Sequence, residues 1–385
     1  MNSTKTIDVR TGVSLAEFTT LNIGGPARFF VRAENESQVS EAVAFASAKE
    51  LDLFVLGGGS NILVSDAGFS GLVLQIALKG VISEPAAGGA RLPSEPPVSI
   101  DVRHQPSASA DGSDRDNISL SVQAGEEWDE FVAYCVDHDL AGIECLSGIP
   151  GLIGGTPVQN VGAYGQEVSE TIVSVRCLDR ITGDLAELTN SDCGFGYRTS
   201  IFNSTMRERY IVLSVTYRLQ LGGEPKIVYK DVREYLENVS AGAGSVVTLR
   251  QTRDAVLQIR RAKSMVIHRN DPNSRSAGSF FKNPIVNKEK VADISLKMNT
   301  ATVPHFIVDE NLVKIPAAWL MESSGYKKGY TTGNVGLSTN HTLAIINRGN
   351  ASALELVGFM TEIQSKVETD FGIDLKPEPV FVGFD

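Results

Sequence analysis

Cysteine is scarce in this sequence, and its spacing excludes several kinds of site. The 385 residues include four cysteines, and none of them forms a CxxC pair. Zinc, iron–sulfur and thioredoxin motifs are therefore missing, so no metal site is expected and a reduced setting is favoured. The N-terminal segment also lacks the apolar core of a signal peptide, which predicts a cytoplasmic protein.

An excess of positive charge is also lacking. Lys and Arg total 35 against 46 Asp and Glu, which gives a formal net charge of -11. No sequence-wide field therefore attracts nucleic acid or anionic lipid, and neither partner is expected. An anionic ligand would have to be held by a local cluster of cations.

One long charge-free run lacks the leucine and isoleucine density of a membrane span. Residues 145–166 carry no charge across 22 positions, yet they contain six glycines and two prolines. This composition favours backbone that approaches another group closely over a lipid-facing helix. No membrane insertion is expected.

Strand and helix patterns occur along the chain without a strict βαβ alternation, which predicts an α+β fold. The length is typical of two or three domains. Residues 84–117 are rich in Pro, Ser, Ala, Gly and Asp and predict a flexible surface insertion, with a partner-binding proline-rich arm as the alternative. A capping box of Ser352 and Glu355, with Gly372 as the stop, predicts a long helix near the C-terminus.

Two cysteines raise the question of a structural or a chemical role. A predicted helix has an apolar stripe of Trp128, Phe131, Val132 and Cys135, so Cys135 is expected in the core. Cys193 precedes the segment GFGYR, where a reactive thiol is the alternative to a structural cysteine. The structural role is favoured because no activating histidine lies nearby in the sequence.

The first glycine motif is Gly57-Gly58-Gly59-Ser60-Asn61, which follows an apolar strand pattern. The Rossmann fingerprint needs a third glycine at position 62 and a following helix, whereas isoleucine and a further strand pattern occur here, so that fold is excluded. Successive backbone N–H groups of such a turn can bind a phosphate, helped by the serine hydroxyl and the asparagine amide. A tight structural turn is an equal alternative.

The second glycine motif is GIPGLIGGTPVQNVGAYG, residues 148–165. Its glycine density weakens any helix or strand, so that some other interaction has to offset the lost conformational entropy. A pyrophosphate and a flat aromatic ring system against the backbone would do so, with polar contacts from Thr156, Gln159 and Asn160. A purely structural loop is the alternative.

Five motifs occur in the order of a known family: GGGSN, GIPGLIGGTPVQNVGAYG, FGYRTSIF (195–202), GSFFKNP (278–284) and LKPEPVFVG (375–383). They resemble the UDP-N-acetylenolpyruvoylglucosamine reductases, FAD enzymes of peptidoglycan precursor synthesis. The resemblance runs from about residue 19 to residue 383 and is interrupted mainly by the insertion.

The resemblance implies an FAD-binding domain of the vanillyl-alcohol-oxidase type and a smaller α+β substrate-binding domain. Residues 1–77 with 372–385 would form an N-terminal FAD-binding subdomain. Residues 78–263 would form a second FAD-binding subdomain, and residues 264–371 the domain for the UDP-sugar. The implied cofactor is FAD with NADPH as the hydride donor, and the chain is expected to be a monomer.

The resemblance also implies FAD contacts in both glycine motifs and at one later position. These residues are Gly57, Gly58, Gly59, Ser60, Asn61, Gly148, Ile149, Pro150, Gly151, Gly155, Thr156, Gln159, Asn160, Ala163 and Ile211.

In the family reaction, NADPH reduces FAD, and the reduced flavin transfers a hydride to the enolpyruvyl group of UDP-N-acetylglucosamine enolpyruvate, giving UDP-N-acetylmuramate. By resemblance, Arg198 polarises the substrate carboxylate, Ser279 donates a proton to the enolate carbon, and Glu378 completes the carboxylate and enolate site. This sequence departs from the family at Lys376, where another glutamate is common, which puts local charge details in doubt.

Four further residues match family positions for the nucleotide and sugar: Tyr229, on a mobile loop that covers UDP in one subgroup, Lys263, Asn283 and His341. A surface role is the alternative for His341. Arg260 and Lys282 are candidates for the same positive cluster.

Two other functions stay open at this stage. One is an FAD-dependent oxidase of the same fold, and the other is a flavin or nucleotide-sugar binding protein without turnover. Ser279 and Glu378 argue against the oxidase, because an oxidation needs no proton donor at carbon. The concurrence of Arg198 with these two residues argues against a binding protein.

Overall fold

The structure is a computed structural model that describes residues 7–84, 102–104, 117–239, 246–299 and 302–384. Within these ranges the helices are α1 (Glu36–Ala48), α2 (Trp128–Asp137), α3 (Lys230–Val239), α4 (Leu249–Ala262), α5 (Glu289–Met298), α6 (Ala317–Ser323) and α7 (Ala353–Phe371). The strands are β1 (Arg10–Ser14), β2 (Pro26–Ala33), β3 (Leu53–Leu56), β4 (Ile62–Val64), β5 (Phe69–Ile76), β6 (Val81–Glu84), β7 (Val102–His104), β8 (Asn117–Gln123), β9 (Leu140–Ala141), β10 (Gly162–Ala163), β11 (Gln166–Glu167), β12 (Ile172–Asp179), β13 (Leu185–Thr189), β14 (Tyr210–Leu221), β15 (Ile285–Asn287), β16 (Phe306–Ile307), β17 (Leu312–Lys314), β18 (Thr331–Thr332), β19 (Val335–Leu337), β20 (Ile345–Asn347) and β21 (Val380–Val382).

The chain divides into two compact units. The first unit contains Met1–Val13, Ala27–Gly58 and Ser70–Ala262, and the second contains Ser14–Pro26, Gly59–Phe69 and Lys263–Asp385. The finer division into 1–77 with 372–385, 78–263 and 264–371 stays a prediction.

The first unit is built on two sheets. A four-stranded sheet has the order β1-β2-β5-β3, and a larger sheet has the order β13-β12-β14-β8-β6-β7, with β9 added beside β14. The long strand β14 has a continuous buried run in its first half and alternates buried apolar residues with more exposed polar ones in its second half, and it pairs antiparallel with both β8 and β12. It therefore forms the centre of the core that supports the second glycine motif.

Helix α2 packs on this core through the stripe predicted from the sequence. Trp128, Phe131, Val132 and Cys135 are all buried, so the prediction for Cys135 is confirmed. The Trp128 and Phe131 rings lie 5.9 Å and 5.3 Å from the ring of Tyr217 on β14. Such aromatic contacts add to the free energy of area burial and fix the angle between helix and sheet.

Part of the predicted insertion contributes to the sheet. Residues 102–104 form β7, which pairs parallel with β6, with Val102 opposite Val81. The predicted flexible insertion at 84–117 thus includes strand residues at 84, 102–104 and 117, because a short strand gains backbone hydrogen bonds from an available sheet edge. Residues 85–101 and 105–116 of the predicted insertion lie outside the described residues.

The second unit contains smaller sheets and α7. Strand β21 pairs parallel with β4, and two three-stranded sheets have the orders β15-β17-β16 and β18-β19-β20. Ser352 accepts a hydrogen bond from the Glu355 N–H, while the Glu355 carboxylate accepts one from the Ser352 N–H. Gly372 ends α7 with φ 61°. The predicted capping box and helix stop are confirmed.

The uncharged run of residues 145–166 folds as turns and short strands. Among the described residues, the helices lack the combination of length and apolar character that crossing a bilayer demands.

Candidate functional site

The two glycine motifs of the first unit contact each other directly. A Cβ atom placed on Gly58 would lie 2.7 Å from the Cα of Gly151. Only glycine permits such close approach of two backbone segments. The structure thus brings together the two segments that the sequence assigns to one cofactor.

Two other glycines in these motifs face open space. A Cβ atom on Gly57 or Gly155 would have no protein atom within 4 Å, and neither residue adopts a left-handed φ. Packing and backbone geometry in the described residues therefore do not require glycine there. Room for a ligand against the backbone provides a reason, and the two positions fit a cofactor such as FAD.

The start of the second glycine motif is held by a charged pair. The Asp129 carboxylate accepts a hydrogen bond of 2.6 Å from the N–H of Gly148 and one of 2.6 Å from the Arg253 guanidinium. The carbonyl of Gly151 accepts from the N–H of Trp128 at 3.0 Å. These bonds connect the loop to α2 and α4, so its glycine-rich backbone has a defined path.

Thr156 and Asn160 are engaged within the protein. The Thr156 hydroxyl lies 2.6 Å from the hydroxyl of Tyr217, and burial raises the pKa of that tyrosine. The Asn160 amide donates to Glu167 at 2.8 Å, and its oxygen accepts from the Ser169 N–H at 3.1 Å. Both side chains stabilise the loop itself, and their direct contact with FAD stays a prediction.

The remaining predicted FAD residues of this unit occupy different depths. Ala163 lies in β10 opposite Gln166, and Ile211 lies in β14 with 1% of its surface exposed. The others are partly buried in the loop, namely Ile149, Pro150 and Gln159. Their contacts with the cofactor also stay predictions.

Arg198 lies against the same loop in an unusual backbone conformation. Its φ is 54°, in the left-handed region that side chains other than Gly, Asn and Asp rarely adopt. The guanidinium donates to the carbonyls of Asn160 and Gly162 and lies over the Tyr197 ring at 5.4 Å. Strain of this kind is found at functional sites, which supports the assignment of Arg198 from the sequence.

The last three residues of the first motif belong to the second unit. Gly59 has φ 61°, and a Cβ atom there would lie 1.7 Å from the Phe18 carbonyl oxygen. The Asn61 carbonyl accepts from the Val380 N–H at 3.0 Å, and its amide donates to the carbonyl of Glu378 at 3.4 Å. The C-terminal segment is thereby attached to the glycine turn; contacts of Gly59, Ser60 and Asn61 with FAD stay predictions.

Three predicted site residues of the second unit meet around Phe280. The Phe280 carbonyl accepts from the Glu378 N–H at 2.8 Å, and its N–H donates to the Leu343 carbonyl at 2.8 Å. Ser279 and His341 are adjacent, with 3.1 Å between the serine Oγ and the histidine Nε2. Residues far apart in sequence therefore meet at the backbone around Phe280, which we call the Phe280 cluster.

Lys376, the position that departs from the family, has an exposed side chain. Its ammonium pairs with Asp374, and its side chain is 71% exposed. The charge change therefore lies at the surface of the second unit.

Two predicted nucleotide-binding residues are placed by helix ends. Lys263 directly follows α4, and the hydroxyl of the next residue, Ser264, accepts from the Asn340 amide at 2.8 Å. The Asn283 side-chain oxygen accepts from the Ala317 N–H at 2.9 Å, at the start of α6. Their contacts with substrate stay predictions.

Tyr229, in the first unit, lies beside the second glycine motif. Its ring meets the ring of Tyr164 edge to face at 5.4 Å, and 42% of its surface is exposed. A Cβ atom on Gly165 would lie 2.3 Å from the Val228 side chain, so glycine is needed where the loop that carries Tyr229 packs against the second motif. The sequence placed Tyr164 within a motif but gave it no role.

Arg260 does not present an accessible charge. It is 6% exposed, and burial lowers its pKa while a hydrogen bond with Tyr164 opposes the shift. The Arg260 side chain contacts Tyr164, and its contribution to the positive cluster stays a prediction.

Glu144 is a buried carboxylate that the sequence did not single out. It is 0% exposed and accepts hydrogen bonds from the N–H of Gly142 at 2.9 Å, the Gln166 amide at 2.8 Å and the N–H of Lys226 at 2.8 Å. It joins the glycine loop to the base of the Tyr229 loop. Its position beside the start of the charge-free run was the available signal.

Replacing Glu144 by Gln should lower the free energy of unfolding by about 1–3 kcal/mol, because an amide nitrogen cannot accept the bonds that the carboxylate accepts. Urea denaturation measures this change. Glu170→Gln is the matched control, since its carboxylate forms an exposed pair with Lys226 and should contribute about 0–1 kcal/mol. Equal small losses for both variants would contradict the structural role of Glu144.

The cysteines are structural. All four are buried, and burial raises the pKa of Cys193 to about 12. A thiol of this kind is protonated at neutral pH, so the alternative of a reactive Cys193 is wrong.

Comparison with known proteins defines the class of this fold. Residues 27–92 and 98–189 match the family model of an FAD-binding domain. Residues 271–382 match the C-terminal domain of UDP-N-acetylenolpyruvoylglucosamine reductase. The chain is thus a flavin-dependent oxidoreductase with a second, α+β domain, which confirms the predicted fold class, the enzyme class and FAD as cofactor.

Similar proteins identify the family. UDP-N-acetylenolpyruvoylglucosamine reductase of Thermobifida fusca is 40% identical over 96% of this chain and 97% of the relative. The same-named protein of Saccharopolyspora erythraea is 39% identical over 96% and 95%. A solved structure, the reductase from Thermus caldophilus, covers 98% of both chains at 21% identity with a TM-score of 0.60. The chain belongs to the UDP-N-acetylenolpyruvoylglucosamine reductase family, as its motifs suggested.

Proposed function

We propose that this protein reduces UDP-N-acetylglucosamine enolpyruvate to UDP-N-acetylmuramate with NADPH as the hydride donor. Its membership in the reductase family supports this reaction, because the relatives that carry the name align along nearly their whole length. When FAD is bound, it supplies the redox chemistry by accepting a hydride from NADPH and delivering it to the enolpyruvyl double bond. A proton from the protein completes the reduction.

The observation that carries the proposal is the cluster around Phe280. Addition of a hydride to the enolpyruvyl group leaves negative charge on the adjacent carbon and the carboxylate, so the site needs a proton donor and charge stabilisation. Ser279 precedes Phe280 in the chain, and the N–H of Glu378 donates to the carbonyl of Phe280, so both residues lie beside Phe280. In the proposed reaction, Ser279 donates its hydroxyl proton to the carbon, and Glu378 binds beside the carboxylate and enolate.

Arg198 is proposed to bind the substrate carboxylate. The planar guanidinium presents N–H donors in a fork that matches a carboxylate better than a lysine ammonium does. Its hydrogen bonds to the carbonyls of Asn160 and Gly162 support this role, since they fix its position relative to the glycine loop.

The nucleotide and sugar are proposed to contact Tyr229, Lys263 and Asn283. An exposed tyrosine ring suits a covering position over a base, and a lysine point charge suits a diphosphate. Residues 264–371 are proposed as the domain that binds this half of the substrate. A cytoplasmic location and a monomeric state stay predictions.

Gly57→Ala and Gly155→Ala should each weaken FAD binding by about tenfold or more, equivalent to at least about 1.4 kcal/mol, because the added methyl group would occupy the space proposed for the cofactor. The apoprotein should remain as stable as the wild type, since that space is open in the protein. Titration of apoprotein with FAD, followed by flavin fluorescence, measures the affinity.

Gly358→Ala is the control for these variants. This glycine lies within α7 with open space around it, and alanine there should stabilise the helix by about 0.5–1 kcal/mol. The FAD affinity of Gly358→Ala should be unchanged. An unchanged FAD affinity of Gly57→Ala and Gly155→Ala as well would contradict the proposed cofactor position.

The decisive experiment uses purified protein. The flavin absorption spectrum is recorded, and NADPH oxidation is followed with and without UDP-N-acetylglucosamine enolpyruvate under anaerobic conditions. We expect oxidation of NADPH beyond one equivalent of the bound flavin, together with formation of UDP-N-acetylmuramate, only when the substrate is present. A protein that cannot be reconstituted with FAD, or one that oxidises NADPH equally in both cases, would rule the proposal out.

A further inference from the structure

The Ser279 hydroxyl has an imidazole of the second unit as a hydrogen-bond partner. Oγ of Ser279 lies 3.1 Å from Nε2 of His341, although the two residues are 62 positions apart in sequence. Both side chains are partly buried. The sequence assigned His341 to the nucleotide sugar or to the surface, and neither assignment involves Ser279.

Backbone hydrogen bonds on both sides fix this contact. Phe280, the residue after Ser279, donates to the carbonyl of Leu343 at 2.8 Å. The turn that carries His341 is closed by a bond of 3.1 Å from the Ala344 N–H to the histidine carbonyl. The first of these hydrogen bonds joins the two backbone segments one residue from Ser279 and two residues from His341, so the serine and the histidine are held next to each other.

The proposed reaction creates a need for this imidazole. A serine that gives its proton to carbon becomes an alkoxide, which is a strong base and has to be protonated again before the next turnover. A hydrogen-bonded imidazole can donate from its ring nitrogen and recover a proton from solvent. Histidine is the side chain that most often serves such proton transfers.

We propose that His341 is a positioning and proton-returning residue for Ser279, an inference that rests on the proposed function. The imidazole holds the hydroxyl toward the reacting carbon. When the Ser279 O–H bond breaks, a C–H bond forms in the product; the His341 Nε2–H bond then breaks as the serine O–H bond is restored. As Nε2 gives up this proton, Nδ1 takes up a proton from solvent, so the ring stays neutral and each turnover consumes one solvent proton.

A role in substrate binding predicts a different result from a role in proton return. A sugar ligand contributes to affinity, so its loss raises the substrate dissociation constant and leaves the rate at saturation intact. A proton-returning residue contributes to the recovery of Ser279 between turnovers, so its loss lowers the steady-state rate at saturating substrate. The two half-reactions separate these cases because NADPH oxidation alone requires no proton at carbon.

The test uses the holoenzyme with His341→Gln, which can keep a hydrogen bond to Ser279 but cannot transfer a proton, and His341→Gly. Stopped-flow spectroscopy measures flavin reduction by NADPH and then flavin reoxidation by saturating UDP-N-acetylglucosamine enolpyruvate. We expect flavin reduction within about twofold of wild type, and a steady-state rate of product formation at saturating substrate that is lowered by about 10²-fold. Added imidazole should partly restore the rate of His341→Gly.

His305→Gln is the matched control, because Nδ1 of this other histidine of the same unit lies 2.8 Å from the carbonyl oxygen of Val303, two residues away in the sequence. It should leave both half-reactions unchanged. Flavin content and the urea midpoint of each variant are measured alongside, so that a folding defect is recognised by parallel losses in both half-reactions.

A direct readout comes from nuclear magnetic resonance of the holoenzyme with isotope-labelled histidine. The Nε2 signal of His341 should shift on Ser279→Ala, whereas the signal of His305 should not. Unchanged rates at saturation with a raised dissociation constant, or an unchanged Nε2 signal, would overturn the assignment of His341. If wild-type enzyme fails to reduce the substrate at all, the proposed function itself is wrong.

Discussion

Ser279→Ala should abolish formation of UDP-N-acetylmuramate while leaving the reduction of FAD by NADPH nearly intact. General acid catalysis contributes about 10²–10⁴-fold, and a loss of this size is expected in the oxidative half-reaction. The hydroxyl matters there because the proton at the reacting carbon has to come from a fixed donor. Stopped-flow absorbance of the flavin measures the two half-reactions separately.

Ser365→Ala is the control for this variant. Ser365 lies on the exposed side of α7, so its loss should change neither half-reaction. Equal losses in both half-reactions of Ser279→Ala would contradict the role of the serine as proton donor. Unchanged product formation would contradict it as well.

Gly58→Ala should disrupt the first unit and abolish retention of FAD. The new methyl group would lie 2.7 Å from the Cα of Gly151, and overpacking of this kind costs about 1–3 kcal/mol of unfolding free energy. Because the clash lies between two backbone segments, it can be removed only if the two glycine motifs move apart. Urea denaturation of the apoprotein and the flavin content of the purified protein measure the two effects.

Gly57→Ala serves as the comparison for this variant at the preceding position. Its methyl group would meet open space, so apoprotein stability should be retained and only FAD affinity should fall. If Gly58→Ala has an unchanged apoprotein stability, the close approach of the two motifs in the structure is wrong.

The local elements of this fold were accessible from the sequence because they depend on neighbouring residues. The 3.6-residue period of Trp128, Phe131, Val132 and Cys135 predicted the buried face of α2. The Ser352 and Glu355 pair predicted the start of α7, since a capping box needs residues only three positions apart. The lack of a glycine at position 62 excluded the Rossmann fingerprint, which also depends only on residues that are close together in the sequence.

Residues 102–104 could not be predicted to form a strand. Their segment is poor in periodic apolar residues, and β7 exists because β6 offers an edge to which it can pair. Strand formation of this kind depends on a partner elsewhere in the chain, which composition does not report.

The sequence by itself determined the family of this protein, its glycine-rich cofactor segments and the identities of Arg198, Ser279 and Glu378 as candidates. It did so because motifs and their order are properties of the chain. The tertiary structure alone decided that Gly58 touches Gly151 and that Ser279 meets His341. These contacts arise from backbone pairing between distant segments, whose geometry is fixed only when the core has formed and the chain has paid the entropy of closing the intervening loops.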